Sequence, residues 1–465
     1  MPGFDANYIS VSDVAIGMNG FYNKASEIRL PITRLMARER CGLTITGGRG
    51  TITVDSVGLG IRDLNIQTTS SKIFADADVP FALMAMNPDA KTSVLADADI
   101  APSDIGCFMP SLNGYLRALP SKRPAKLQLK ADGSLSAMQI ASLKVNVPQV
   151  FDLVAKGSVR NPLDIKKMKG NVDFDAVLSG PKTVDRLLGG TGYDIPGLSL
   201  KGSAEADRQT YAADFRLLSE AGDAVGNGRV SLTSESYEAD MDIKGLQAGR
   251  FLPDMGIGSV TAHITASGAG FNPTKPGAHT LANVSVGSAI YKGHDYRNIG
   301  LHAELGNGDF KVNLNSPDPD LDLTLDAYGT VAPDDYTFDI RARINHIDLH
   351  ALGLSETLSS GNANIYAQGS ASPERWIYDV DLKVDNFDWN MPEGYFRLPQ
   401  GITASLLSTP VSVNASIQSQ GTDLEFSSAS GLKHVVDCFT AVAPMVSKQI
   451  KERHLEVEEL QAALP

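Results

Sequence analysis

A strict alternation of apolar and polar residues over residues 320–344 constrains the fold more than any other feature of this sequence. Two arms are separated by a turn rich in Gly, Pro and Asp, and apolar side chains occupy every second position of each arm. These positions are Leu321, Leu323, Leu325, Tyr336, Phe338, Ile340, Ala342 and Ile344. Because successive side chains of a β-strand point to opposite faces, the stretch predicts a hairpin with one apolar and one polar face.

The same alternation recurs along most of the chain. Two further segments carry it clearly, at Phe310, Val312, Leu314, Tyr378, Val380 and Leu382. We count roughly two dozen such segments before residue 431, and the 43 Gly and 24 Pro are scattered as many short turns require. One predicted turn is Gly47-Gly48-Arg49-Gly50, which would join two strands within residues 43–54. The sequence therefore predicts a mainly β fold.

Short helical turns are predicted between strands, at residues 101–110, 181–188 and 241–253. A loose repeat accompanies them, in which a strand ending in Ala-x-Gly is followed within a few residues by proline. Its three copies contain Gly157, Gly268 and Gly369. Recurrence of this kind is typical of repeat architectures, in which one structural unit is stacked on the next.

The pattern changes at Gly431. Apolar residues then follow at three- and four-residue spacing, which predicts an amphipathic helix kinked by Pro444. Residues 457–464 are also expected to be helical. The sequence therefore predicts two regions, a repetitive strand region over residues 1–430 and a helical segment over residues 431–465.

Composition excludes several classes of protein. A net charge of −13 argues against nucleic-acid binding, which needs clustered Lys and Arg. Cys41, Cys107 and Cys438 are widely spaced and give no metal or disulfide signature, so their disulfide state stays open. Neither a secretory signal nor a run of about 18 apolar residues is present. We expect the chain to be a piece of a longer protein.

No candidate for catalysis or metal binding is convincing. Residues 47–51 resemble a phosphate loop but lack its Gly-Lys-Ser/Thr ending. Asp318, Asp320 and Asp322 have the spacing of a calcium loop, yet Leu323 replaces its glycine, so we expect these aspartates on a solvated strand face. His346 and His350 are expected to be turn residues. The sequence predicts no enzyme activity, no metal and no cofactor.

The apolar faces themselves leave two arrangements open. They could be the cores of packed β-sandwiches or of a solenoid. Alternatively, one sheet could curl around an open apolar trough, since two dozen strands at ~4.8 Å each would extend on the order of 100 Å. No long amphipathic helix precedes residue 431 to cover such a sheet, and an uncovered apolar face of that size would aggregate.

Two segments carry a resemblance to a known family. The first is Arg343-Ile-Asn-His-Ile-Asp-Leu-His-Ala-Leu-Gly353, and the second is Gly361-Asn-Ala-Asn-Ile-Tyr-Ala-Gln-Gly-Ser-Ala-Ser-Pro373. With the strands and Gly-Asn-Gly hairpin of residues 280–329, this succession resembles the AsmA/TamB-like envelope proteins, in particular the TamB-like (translocation and assembly module) proteins of Bacteroidota-type bacteria. The resemblance covers most of residues 95–430.

The resemblance implies a curled, taco-shaped sheet with an apolar inner groove, short helical turns between repeats and a C-terminal amphipathic helix. It also implies a periplasmic, cell-envelope protein for lipid transport and outer-membrane biogenesis, with phospholipid acyl chains as partners. The parent would be anchored in the inner membrane and would meet an outer-membrane barrel-assembly (Omp85-type) partner. We expect this chain to lack that anchor and part of the C-terminal domain.

On this basis the groove lining is proposed as Phe310, Val312, Leu314, Leu321, Leu323, Leu325, Tyr336, Phe338, Ile340, Ile344, Tyr378, Val380 and Leu382. Two other functions stay open. One is a β-rich scaffold that assists outer-membrane or secreted protein assembly by strand pairing, and the other is a repetitive surface adhesin that binds glycans.

Overall fold

A computed structural model describes residues 8 and 10–452, apart from residues 25, 85–86, 120–122, 135, 163, 180–184, 186–194 and 273. The chain is 66% strand, which confirms the mainly β fold. It divides into two compact units, one of residues 1–233 and 237–260 and the other of residues 234–236 and 261–465. The predicted turn at residues 181–188 and the predicted helix at 457–464 lie outside the described residues, except for residue 185.

In the first unit, consecutive strands from β3 to β14 are neighbours and pair antiparallel. They are β1 (Val11–Met18), β2 (Tyr22–Lys24), β3 (Glu27–Glu39), β4 (Thr44–Asp55), β5 (Gly58–Thr68), β6 (Lys72–Pro80), β7 (Thr92–Ile100), β8 (Ala125–Ser134), β9 (Ala137–Val147), β10 (Phe151–Arg160), β11 (Lys169–Leu178), β12 (Leu198–Asp207), β13 (Thr210–Ser219), β14 (Gly222–Ser231) and β15 (Ser236–Gln247). Its helices are α1 (Phe81–Met84), α2 (Pro102–Phe108) and α3 (Asn113–Ala118), with 3₁₀ turns at Pro110–Leu112, Ala248–Arg250 and Pro253–Met255.

The second unit continues the same antiparallel pattern. β16 (Ile257–Ala269) begins in the first unit and is followed by β17 (His279–Tyr291), β18 (His294–Gly306), β19 (Asp309–Asp318), β20 (Leu321–Val331), β21 (Tyr336–Asp348), β22 (Ser360–Ser372), β23 (Ile377–Met391), β24 (Gly394–Leu398), β25 (Ile402–Thr409), β26 (Ser412–Ser419) and β27 (Thr422–Ser428). A 3₁₀ turn lies at Pro373–Arg375, and α4 spans Leu432–Glu452.

Several predictions about individual elements are confirmed. The hairpin of residues 320–344 is β20 and β21, with Leu323 opposite Ile344 and Leu325 opposite Ala342. The helical turns predicted at residues 101–110 and 241–253 are present as α2 and as 3₁₀ turns. The amphipathic helix after Gly431 is α4, and it is continuous through Pro444.

The predicted glycine turn at residues 47–50 is wrong. β4 runs unbroken from Thr44 to Asp55, and its register against β5 shifts on either side of these glycines. A side chain at Gly48 would lie 2.8 Å from Cβ of Leu35, and one at Gly50 would lie 2.8 Å from Cα of Leu64. The glycines therefore allow neighbouring strands to approach closely at a β-bulge.

Fully buried apolar side chains are few and small. Among the described residues they are mostly alanine, and the large aliphatic ones are Val150, Leu352 and Val413. A closed hydrophobic core of a chain this long would bury many Leu, Ile and Phe side chains. Among the residues that the structure describes, such side chains form no core enclosed on all sides in either unit.

Turns at the strand ends supply much of the burial that does exist. In the first unit α2 places the buried Asp104 carboxylate against the hydroxyls of Thr68 and Ser71, whose oxygens lie 2.5 and 2.6 Å away. In the second unit the turn after β21 buries Leu352, which is 2% exposed. The described helices include none that is long and apolar enough to cross a membrane.

Candidate functional site

Register places all thirteen proposed lining residues on one face of the second unit. Paired residues of an antiparallel sheet lie on the same side, and the ladders from β19 to β23 connect these residues strand by strand. One row runs Val312, Ala327, Ile340, Ala367 and Leu382 across the five strands. Whether this face contacts hydrocarbon stays a prediction.

Large and small side chains alternate along these rows. In the adjacent row, Gly329 lies between Phe310 and Phe338, and Gly369 lies between Phe338 and Val380. The ring of Phe310 covers Gly329 so closely that a side chain there would lie 2.7 Å from Cε1. Glycine therefore provides the space that the neighbouring aromatic ring occupies, which leaves little room for a ligand at this point.

The proposed lining is only half covered by protein. Twelve of the thirteen residues are half-buried, and Tyr336 is exposed. Their small neighbours are more deeply buried, as Ala327 and Ala363 illustrate. The large side chains thus remain partly accessible while their small neighbours are covered.

A large apolar concavity lies in the first unit. It is an open cavity of about 720 Å³ against strands β10 to β15. Most of its lining residues belong to one face, and they include Val159, Met168, Val172, Ala204, Ala206, Tyr211, Ala213, Phe215, Val230, Tyr237, Ala239 and Met241. Glu205, Ala212, Asn227, Arg229 and Glu238 of the same strands also border the cavity. Pockets that hold small molecules have volumes of roughly 300–1,000 Å³, so the space is adequate for a ligand.

Small residues create this cavity. Ala204 is opposite Ala213, which is opposite Gly228, so three neighbouring strands carry almost no side-chain volume in one row. A side chain at Gly228 would meet only the carbonyl oxygen of Glu238, at an ordinary 3.5 Å. Tyr211 and Val230, which are opposite each other in the next row, form part of the wall.

Sequence reasoning missed this site because it selected alternating segments rich in Leu, Ile and Phe. The alternation of Tyr211, Ala213, Phe215 and Leu217 is typical of a strand, but small side chains give no reason to expect a cavity. A useful signal would have been the coincidence of alanine and glycine at the same register on consecutive strands. That coincidence becomes visible only when the strand pairing is known.

The reverse face of the second unit has a different chemistry. A cavity of about 470 Å³ there is lined by polar side chains that include Asp339, Arg341, Gln368, Asp381 and Lys383. Asp339 accepts two hydrogen bonds from Arg341, at 3.1 and 3.0 Å, and this contact raises the pKa of the guanidinium. Charged groups on this face favour water, and the two faces of the sheet are therefore chemically distinct.

One sequence-based prediction about the aspartates is wrong. Asp318, predicted to lie on a solvated strand face, is only 1% exposed. It ends β19 on the same side as Leu314 and Ser316, and it is opposite Leu321. His346 is exposed near the end of β21, and His350 lies in the following turn, where its Nδ1 is 3.2 Å from the carbonyl oxygen of Ser355.

No model of a protein family matches the chain, and no curated protein matches it.

Proposed function

We propose that the protein holds hydrocarbon chains, in the first place the acyl chains of phospholipids, against the apolar face of its sheet. The observation that carries the proposal is the open cavity of about 720 Å³ in the first unit, with its apolar lining. The half-buried lining residues of the second unit support it, because part of their surface is available to a ligand.

The physical basis of binding would be the removal of apolar surface from water. Each buried CH₂ group contributes about 0.8 kcal/mol, and the interaction has no directional requirement. Such a surface suits chains that slide along it better than a single ligand held in one orientation. The resemblance to AsmA/TamB-like proteins supports the same proposal, with a segment of a bridge-like lipid-transfer protein in the periplasm as its setting.

Phospholipid that co-purifies with the intact chain gives the first test. We expect lipid extraction and mass spectrometry to detect it, and we expect a fluorescent long-chain fatty acid to bind. Ala213→Asp places a carboxylate on the cavity floor, where an acyl chain would have to remove it from water. Binding of the fatty acid should weaken at least tenfold.

The matched control is Val177→Asp, because Val177 is 39% exposed and paired with Ser199 on the reverse face of the same unit. This variant should bind the fatty acid as the wild type does. A second variant, Ala213→Trp, fills the cavity without adding charge and should weaken binding too. Lipid-free protein that fails to bind the fatty acid would exclude the proposal, as would equal losses in Val177→Asp and Ala213→Asp.

Strand pairing with a partner protein is the second candidate function, and the edge strand β1 favours it. The described pairing of β1 is with β3, and Val11, Val14, Ile16 and Met18 are each more than half exposed. An exposed apolar edge is a template for another strand. A strand of an outer-membrane barrel or secreted protein is the proposed occupant.

Photo-crosslinking in bacterial envelopes tests this second candidate. A crosslinking residue at Val14 should capture a β-rich envelope protein, whereas one at Thr337, in the interior strand β21, should not. Equal capture at both positions, or capture at neither, would argue against pairing at β1.

A further inference from the structure

The geometry points to a divalent metal site in the second unit, formed by His294, Asp318 and Asp320. We propose that it binds Zn²⁺ or a closely similar transition-metal ion. The three side chains come from the first residue of β18, the last residue of β19 and the turn that follows. One ligand atom from each lies within 4.8 Å of the other two.

The contact between His294 and Asp318 is a long hydrogen bond whose length also suits two ligands of one metal ion. His294 Nε2 is 3.4 Å from Asp318 Oδ1. The 3.9 Å contact of Asp320 Oδ2 is with the other ring nitrogen, Nδ1, and only one ring nitrogen can ligate the ion. A hydrogen bond between charged groups would be about 2.7–2.9 Å long. Two ligands at about 2.0–2.2 Å from a tetrahedral ion are separated by roughly 3.3–3.6 Å, which is the separation of His294 and Asp318.

Two of the ligands are already held in place. The carboxylate of Asp318 accepts hydrogen bonds from the backbone N–H groups of Arg297, at 2.9 Å, and Asp320, at 3.0 Å. The ring of His294 packs edge-on against Tyr296, with centroids 4.5 Å apart. Asp320 is 40% exposed at its side chain and lies in a turn, so it can close on an ion.

The charge of the cluster also favours a cation. Two carboxylates and one imidazole lie together, and two basic residues close to His294 in the sequence have other partners. Arg297 pairs with Asp295 at 2.7 Å, and the ammonium of Lys292 lies over the ring of Tyr291. Burying the Asp318 carboxylate without a cation would be costly.

Ser316 supplies an independent observation. It lies two residues before Asp318 on the same side of β19 and is 1% exposed, yet its Oγ has no hydrogen-bond partner among the described residues. Buried hydroxyls are normally paired. Ser316 and Asp318 are about 6.6 Å apart along the strand. A water molecule bound to the ion would be within reach of the Ser316 hydroxyl and would occupy a fourth coordination position.

Ligand chemistry selects the class of ion. An imidazole nitrogen with two carboxylates suits Zn²⁺ and its neighbours, whereas Ca²⁺ and Mg²⁺ prefer oxygen ligands in larger number. The site lies at the strand end where Asp318 is opposite Leu321. Metal binding there does not require that the apolar face binds hydrocarbon.

The intact chain is first stripped of metal with a chelator. It is then titrated with Zn²⁺ in competition with a chromogenic chelator, and separately with Co²⁺ while visible absorption is recorded. We expect one ion per chain and a Co²⁺ spectrum of a four-coordinate site. His294→Gln and Asp320→Asn should each weaken binding at least tenfold. Circular dichroism checks that they fold, which is expected of Asp320→Asn because that side chain is partly exposed.

The control is His302→Gln. His302 lies on the same strand and contacts Asn283 and Glu304, at 2.6 and 2.7 Å, but has a single carboxylate partner. It should bind Zn²⁺ as the wild type does. The proposal is overturned if the wild type binds no Zn²⁺, if His302→Gln loses as much affinity as His294→Gln, or if equimolar Ca²⁺ displaces the Zn²⁺.

Discussion

The apolar faces of the two units differ in the side chains that surround their small residues. In the first unit Ala204, Ala213 and Gly228 leave an open cavity, and larger residues form its wall. In the second unit the aromatic ring of Phe310 covers Gly329, so the space beside glycine is already occupied. The space available to a ligand therefore depends on which side chains neighbour the small residues, and not on the number of large apolar residues.

The largest effect on stability should come from filling the space beside Gly329. A side chain there would lie 1.9 Å from the carbonyl oxygen of Thr337 and 2.7 Å from the ring of Phe310. Because one of these neighbours is backbone, Gly329→Val should lower the free energy of unfolding by about 3 kcal/mol. Chemical denaturation of the purified chain measures this change.

The matched substitution in the first unit is Gly228→Ala, which meets only one carbonyl oxygen at 3.5 Å. It should cost less than about 1 kcal/mol and slightly reduce the volume of the cavity. Similar losses at Gly228 and Gly329 would contradict the distinction between an open and a filled face.

A smaller loss is expected when a charge is placed among the half-buried residues of the second unit. Leu323 lies opposite Ser316 and Ile344. Leu323→Asp should lower the free energy of unfolding by about 2 kcal/mol, because the carboxylate loses part of its hydration. It should also slow lipid transfer between vesicles if this face conducts acyl chains.

Thr324→Asp is the control for Leu323→Asp, since Thr324 is exposed on the opposite face and is paired with Arg343. Its effect on stability should stay within about 0.5 kcal/mol. If Leu323→Asp destabilises the chain yet transfer is unchanged, the second unit has a structural face only, and the proposal for hydrocarbon binding is confined to the first unit.

Local patterns predicted much of this fold, because period-two alternation is a property of a single strand. The hairpin containing Leu323 and Ile344 could therefore be derived without knowledge of its neighbours. The predicted turn at Gly48 failed because only the position of Leu35 on the adjacent strand shows that these glycines permit close approach. The two residues are thirteen positions apart, and no local pattern connects them.

The candidate sites were harder to predict for the same reason. The cavity depends on the alignment of Ala204, Ala213 and Gly228 across three strands, which is set by register. The burial of Asp318 was not predicted, because a one-sided strand pattern says nothing about the preceding strand, whose His294 ring and Arg297 N–H contact its carboxylate. Asp318 and His294 lie close together although they are 24 positions apart in the sequence.

The smallest expected effect concerns Cys41, which is enclosed at a strand end of the first unit although the cavity in that unit is open. Cys41 is 4% exposed, and Cys107 Sγ lies 3.4 Å from its carbonyl oxygen. Burial, with the nearby Glu39 carboxylate adding to it, raises the pKa of the Cys41 thiol from about 9 to about 11. The folded chain therefore retains this proton at pH values where the unfolded chain loses it.

The sign of the pH dependence follows from this difference in pKa. The stabilisation is complete below pH 9 and is lost as the pH rises from 9 towards 11, because the unfolded state binds fewer protons there. At pH 9.5 the loss should be less than about 1 kcal/mol relative to pH 7. Denaturation at both pH values should show a smaller decrease for Cys41→Ala and Cys41→Ser than for the wild type. If all three chains lose the same stability, Cys41 is not enclosed as the structure describes, and the contrast between a closed strand end and an open face in the first unit is lost.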